Sequence, residues 1–273
     1  MALAFVPSDA CMLAVQAGCV LAPRLPPGAE RLRRLGGRGW AVVPLASIVL
    51  VVFAIRYVND TATGLTYLAL IAVPPLAAVA LGWAMRGARL VLVLLAAVLF
   101  ALAWGARGSL VGEGAAVLLS ALSCITLGVL LAAVTPASWL KVGIVLMAGA
   151  DTWLVVSDLL QAPNASLIAA APGGGLPQLQ SEAFGSVSMG YGDLFIAAVL
   201  GAVLASDPRR QRVAALIAFV VAALFDLLFF AVNELPATVP VALTLIILEL
   251  WDLYRRRRPR PVLARTRGAP ERA

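Results

Sequence analysis

Eight apolar stretches set the limits on this fold. They lie at about residues 40–57, 66–85, 88–106, 114–134, 138–160, 187–206, 211–232 and 237–254. Each approaches the ~20 residues a helix needs to cross the hydrocarbon core of a bilayer. In lipid every backbone amide and carbonyl must find a partner within the chain, so the stretches are expected as helices. The short polar or Gly/Pro-bearing segments between them read as their connections. Composition agrees, with 62% of the 273 residues hydrophobic and 13% charged. That is a membrane balance rather than a soluble one. The expected fold class is an all-α polytopic membrane protein. Pro74-Pro75 is expected to kink the second stretch, and no fixed-period repeat is visible.

The net charge of +7 is unevenly placed. It gathers in Arg24–Arg38, in Arg86 and Arg89, in Arg209–Arg212 and in the tail Arg255–Arg272. Basic clusters beside apolar runs are topology signals and contacts to anionic lipid, not nucleic-acid sites. If the eight stretches alternate in direction, all four clusters fall on one side. The weakly basic connections 58–65, 107–113, 161–186 and 233–236 fall on the other. The positive-inside rule then puts the C-terminus in the cytoplasm. Residues 1–23 are apolar but broken by Pro7, Ser8, Asp9 and Gln16, and no basic residue precedes them, which argues against a signal peptide. They form a marginal span or an interfacial segment; as a span they bring the count to nine. The chain divides into scaffold helices at 1–137 (with a basic linker at 24–39), a segment at 138–254 and a basic tail at 255–273. A composition rich in Ala, Arg, Gly and Val points to a bacterial inner membrane. Nothing in the sequence sets an oligomeric state.

There is no histidine, and Cys11, Cys19 and Cys124 show no paired spacing. No metal or organic cofactor is expected, and acid–base work falls to carboxylates. Asp193 stands in Ser188-Met189-Gly190-Tyr191-Gly192-Asp193-Leu194-Phe195, followed by an uncharged run to Ala205. A carboxylate at membrane depth is costly and calls for a partner or a function. If its span starts near Val187, Asp193 lies about six residues in, roughly 9 Å. Asp151, in Ala150-Asp151-Thr152-Trp153, lies about nine residues from the same end of the preceding stretch, roughly 14 Å. On antiparallel neighbours the two are expected to face each other. Facing carboxylates in a low dielectric share one proton, leaving one as base and one as acid. Glu234-Leu235-Pro236-Ala237-Thr238-Val239-Pro240 opens the last stretch at the same end. Its prolines are expected to leave carbonyls free near the pair.

Taken in order, the Asp on the upstream helix, the Gly-Tyr-Gly-Asp at 190–193 and the Leu-Pro-Ala at 235–237 resemble the GxGD intramembrane aspartyl proteases, the presenilin and signal peptide peptidase family. The resemblance covers about residues 138–250. It implies a presenilin-like bundle of eight to nine transmembrane helices, hydrolysis of peptide bonds within the bilayer, and Asp151 and Asp193 as the catalytic pair. It implies that Gly190, Tyr191, Gly192, Leu235, Pro236 and Ala237 contact substrate, and that substrates are transmembrane or signal-peptide segments entering from lipid. Two positions depart from the family pattern. Ala150 stands where a Tyr usually precedes the first Asp, and Thr238 follows Pro-Ala where Leu is usual, with Pro240-Val241-Ala242-Leu243 as a shifted alternative.

Plainer readings stand beside these. Asp158 is one heptad beyond Asp151, on roughly the same face but nearer the interface. Asp226 is a third intramembrane carboxylate, read as a hydrogen-bonded structural group. Glu249 and Asp252 are expected to pair with Arg255–Arg258. Gly190 and Gly192 also suit simple helix packing. The connection 161–186, with Gly173-Gly174-Gly175, reads mostly as a floppy loop, part of which orders on an extended substrate by strand addition. Deleting Gly173–Gly175 is then expected to reduce cleavage without unfolding the bundle. The rival functions are a prepilin-peptidase-like protease, a proton- or cation-coupled transporter using the aspartates, and an inactive homologue acting as a scaffold.

Overall fold

The computed structural model describes residues 5–57, 60–159, 161–230 and 235–257. Glu234 and the tail beyond Arg257 lie outside them. In chain order the described elements are α1 (Phe5–Leu21), α2 (Ala29–Leu32), α3 (Val43–Tyr57), α4 (Thr61–Val79), α5 (Val93–Gly105), α6 (Leu110–Val134), α7 (Ala137–Val156), α8 (Gln161–Ala169), β1 (Ser181–Phe184), β2 (Val187–Gly190), α9 (Tyr191–Leu204), α10 (Pro208–Phe225) and α11 (Val239–Arg257). Each of the eight apolar stretches overlaps one helix, from 13 residues in α5 to 25 in α6. Four helical segments, Thr61–Ala84, Leu110–Val134, Ala137–Val156 and Pro208–Phe229, are long and apolar enough to cross a membrane.

The exterior suits a bilayer. Leu90, Val91 and Leu94 beside α5 are 84%, 78% and 71% exposed, an apolar surface that water-soluble proteins rarely show over a wide area. The tryptophans keep to the helix ends: Trp40 and Trp139 near helix starts, Trp83, Trp104 and Trp153 near helix ends, and Trp251 towards the end of α11. Amphipathic indoles favour that level at a membrane interface.

The core is built around α9. Leu194, Ile196, Ala197, Ala198, Val199, Leu200, Gly201, Ala202 and Leu204 are all buried, so this helix is wrapped on every face. It packs most extensively on α6 and then on α1. Small residues permit the close approach. A Cβ on Gly128 of α6 would lie 2.8 Å from the Ala198 carbonyl carbon, and one on Gly201 would lie 2.3 Å from the Val20 carbonyl oxygen. The apolar run at the N-terminus is therefore a helix packed inside the bundle, with Met12, Leu13, Gln16, Cys19 and Val20 buried.

Helix α4 continues through Pro74-Pro75 and widens into a π-helical turn at Ala80–Ala84. The turn gives up Ala84 O to the Arg24 amide, while the Arg86 amide donates to Ala22 O. The basic connections then meet at one end of the bundle. Gln211, fully buried, donates to the carbonyls of Val20, Pro23 and Gly201, and its side-chain oxygen accepts from Arg86. At that end Glu249 pairs with Lys141 and Arg210, and Asp252 with Arg210. This corrects the expected pairing with Arg255–Arg258, because α7 and α10 bring cations across to α11 that local spacing does not reveal. Arg255 instead stacks on Trp251, 5.1 Å from the ring centroid.

The connection 161–186 carries secondary structure and contacts to the bundle. Its first part is α8, and the Thr66 hydroxyl of α4 donates to Ala170 O at 2.9 Å. The Gly173 amide donates to the Tyr67 hydroxyl, and the Arg107 guanidinium covers Gly175. Gly174 and Gly175 have φ of 66° and 64°, which is why glycine suits this turn. The second part is the β1–β2 hairpin, paired antiparallel with Ser181 opposite Gly190, Glu182 opposite Met189 and Phe184 opposite Val187. Its turn is Gly185-Ser186, with Gly185 at φ 63°, the arrangement of a two-residue hairpin that wants Gly first.

Candidate active site

Asp151 is placed by the buried stripe of α7. Leu140, Ile144, Met147 and Ala148 are buried, and Asp151 extends that row by one further turn, half-buried towards α9 and α11. Its heptad rival Asp158 lies past the end of the helix, exposed, at φ 56°. There it shapes the C-terminal turn, with its amide donating to Val155 O and that of Leu159 to Leu154 O. The shared face expected for Asp158 is lost because α7 stops at Val156.

Asp193 is not six residues inside a helix. Residues 187–190 are strand, α9 starts at Tyr191, and Asp193 falls in its first turn. The Gly190 amide donates to Asp193 Oδ2 at 3.0 Å, so the carboxylate caps its own helix, at the end where the helix dipole favours an anion. Gly190 has ordinary extended angles, φ −75° and ψ 146°. Space, not conformation, favours glycine there: a Cβ would sit 3.1 Å from Asp193 Oδ2.

Asp151 and Asp193 act on each other electrostatically across the α7–α9 contact. Each takes its hydrogen bond from a different neighbour. The Thr238 hydroxyl, 3% exposed, donates to Asp151 Oδ2 at 2.6 Å. Of the Leu-Pro-Ala segment, Pro236 is buried, while Leu235 and Ala237 are half-buried. Its carbonyls are not free as expected. Pro236 O accepts from the Val239 amide, Ala237 O from Gln16 Nε2 at 3.0 Å, and Thr238 O from the Ala242 amide. The start of α11 is thus clamped between α1 and Asp151.

Tyr191 turns towards α6. The one hydrogen of Ser123 goes to Ser120 O at 2.7 Å, so in the 2.7 Å contact between Tyr191 and Ser123 the phenol is the donor. The Tyr191 carbonyl accepts from the Cys124 thiol. Gly192 is half-buried in the first turn of α9. Asp226 begins the 3-10 turn after α10 and meets Asp9 of α1 side chain to side chain, next to the edge-on Phe5–Phe229 pair.

Three contributors are invisible to motif reading: Thr238, Gln16 and Glu182. Thr238 stands out only as a departure from the family pattern, and Gln16 only as a polar residue in an apolar run. Glu182 sits in the hairpin, whose signal is Gly-Ser flanked by two four-residue runs of strand character. Among the described residues, no group of three or more His, Cys, Asp or Glu side chains is arranged to hold a metal ion. No family profile, curated protein or solved structure matches the chain.

Proposed function

We propose that this chain is an intramembrane aspartyl protease, with eight or nine spans and a cytoplasmic C-terminus, that cleaves transmembrane or signal-peptide segments in a bacterial inner membrane. One observation carries this reading. Asp151 and Asp193, from separate helices, interact electrostatically at the opposite end of α9 from the Arg86–Gln211 cluster, and Thr238 of the Leu-Pro-Ala-Thr segment holds one of them. Asp151 and Asp193 hold one water between them. The ionised partner takes its proton as it attacks the scissile carbonyl, and the protonated partner donates to that oxygen. The chemistry uses no cofactor. Strand β2 leads directly into Asp193, and Ser188 and Gly190 on it are exposed. A substrate that unwinds and pairs with this edge arrives beside the carboxylates.

The test is cleavage of a transmembrane peptide by the protein reconstituted in liposomes. Asp151→Ala and Asp193→Ala are each expected to abolish it, and cleavage surviving either change sinks the proposal.

A proton-coupled transporter is the second reading, and the Asp9–Asp226 contact favours it, since two touching carboxylates hold a proton between them. Peptide cleavage that needs Asp151 and Asp193 but not Asp226 decides against it.

A further inference from the structure

We propose that the β1–β2 hairpin stays seated on α6 only while the Glu182 carboxyl holds its proton, and that losing the proton lets the strand that feeds Asp193 lift away. Glu182 is 2% exposed, and both of its carboxyl oxygens lack a hydrogen-bond partner. Burying an ionised carboxylate without a cation or well-placed donors is far more costly than burying the neutral acid. Strand β1 presses against α6, and Glu182 faces Met189 across the ladder, four residues before Asp193.

The surroundings offer the anion little. The titratable side chains of the packed helices are Asp9, Cys11 and Cys19 on α1, Glu113 and Cys124 on α6, and Tyr191 and Asp193 on α9; β2 has none. Every one is neutral or negative. The Ser123 and Tyr191 hydroxyls are committed to each other and to Ser120 O. The Ser120 hydroxyl and the Glu182 backbone amide help electrostatically without reaching hydrogen-bond geometry. Burial first, with the Asp193 charge adding to it, moves the Glu182 carboxyl from its ordinary 4.5 to about 8.

The hairpin is tied at both ends: at its turn the Gly185 amide donates to Glu113 and the Ser186 amide to the Ser8 hydroxyl, and where β2 meets α9 the Gly190 amide donates to Asp193. The turn and the junction with α9 are thus the fixed points, and the middle of the strands around Glu182 and Met189 is the moving part. The direction follows from proton linkage. Below 4.5 both the seated and the lifted hairpin carry the proton and seating is strongest. Between 4.5 and about 8 only the seated form carries it, so seating weakens as pH rises, by at most tenfold per unit. Above about 8 neither form holds the proton and the dependence ends.

The experiment is hydrogen exchange of residues 181–190 in the full-length protein in lipid vesicles, corrected for intrinsic exchange, from pH 4.5 to 9. Wild type is expected to lose protection across the window, by up to tenfold per unit, and then level off. Glu182→Gln, neutral throughout, is expected to show no such loss, and Glu182→Met provides the same comparison if the Gln variant does not fold. A flat wild-type profile, or a variant that follows the wild-type slope, overturns the proposal. The readout needs no turnover, so it stands or falls apart from the protease reading; only a parallel loss of cleavage over the same window rests on that reading.

Discussion

Thr238 opens α11 by giving its hydroxyl to Asp151 at 2.6 Å, joining the last helix to the carboxylate of α7. The residue that follows Leu235-Pro236-Ala237 is the one that touches a proposed catalytic group. Thr238→Val keeps the shape and removes the donor. A lost hydrogen bond to a charged group is worth about 1.5–3 kcal/mol, so turnover is expected to fall roughly 10- to 100-fold. Thr238→Ser is expected to retain most of it. Liposome cleavage assays on the two variants check this, and equal rates for Val and Thr remove Thr238 from the site.

Gly190→Ala tests spacing at Asp193. The added Cβ would meet Asp193 Oδ2 at 3.1 Å, while the backbone angles suit alanine. The carboxylate must give by a few tenths of an ångström. Turnover is expected to drop about tenfold or more with little change in unfolding midpoint, because small displacements of reacting groups are costly in rate. A variant that loses stability instead shows that the glycine serves packing.

Gly201→Ala forces α9 away from α1, since its Cβ would lie 2.3 Å from the Val20 backbone oxygen. The expected cost is about 1–3 kcal/mol of stability. Gly18→Ala, on the other helix of the same pair and with no atom within 4 Å of the added carbon, is the control and is expected to be neutral or stabilising. Unfolding in mixed detergent micelles separates the two.

Gln211→Leu is expected to be the most damaging change at the basic end. It strips donors from the carbonyls of Val20, Pro23 and Gly201 and takes the Gln211 oxygen from Arg86, which keeps the Ala205 carbonyl, at a site closed to water. Each buried group left unpaired costs about 1–3 kcal/mol. Low yields of folded protein, or a much lower unfolding midpoint, are the expected readouts; a wild-type midpoint contradicts the hub.

Glu249→Gln removes the negative charge shared by Lys141 and Arg210 while keeping an oxygen that can accept from them. All three side chains are a quarter or more exposed, so screening keeps the effect to about 1 kcal/mol or less. The loss is expected to shrink as salt rises. Unfolding midpoints at low and high ionic strength check both points.

Much of the bundle was legible because lipid leaves a chain few options. Runs of apolar residues near twenty long, separated by glycine, proline and charge, have to close their hydrogen bonds locally, and each of α3–α7 and α9–α11 overlaps one expected stretch, with ends shifted by up to a few residues. The position of Asp151 was legible for a related reason: a stripe at helical spacing aims the next residue of its row inward. Helix ends were less legible. Val187–Gly190 is strand because it pairs with Ser181–Phe184, a contact that apolar content does not encode. Asp158 left its expected face because α7 ends two residues before it.

Sequence alone determined the helical runs, the segregation of arginine to alternate connections, and a carboxylate on each of two neighbouring helices. These follow from backbone satisfaction and solvation cost, which act residue by residue. Only the tertiary structure decided what each polar side chain meets: Thr238 on Asp151, Gln16 on Ala237, Gln211 at the junction of α1, α9 and α10, and Glu182 sealed beneath a hairpin without a partner. Those pairings join residues up to 221 positions apart. They exist because small residues let helices approach closely enough for side chains to reach across, and that distance is a property of the packed whole.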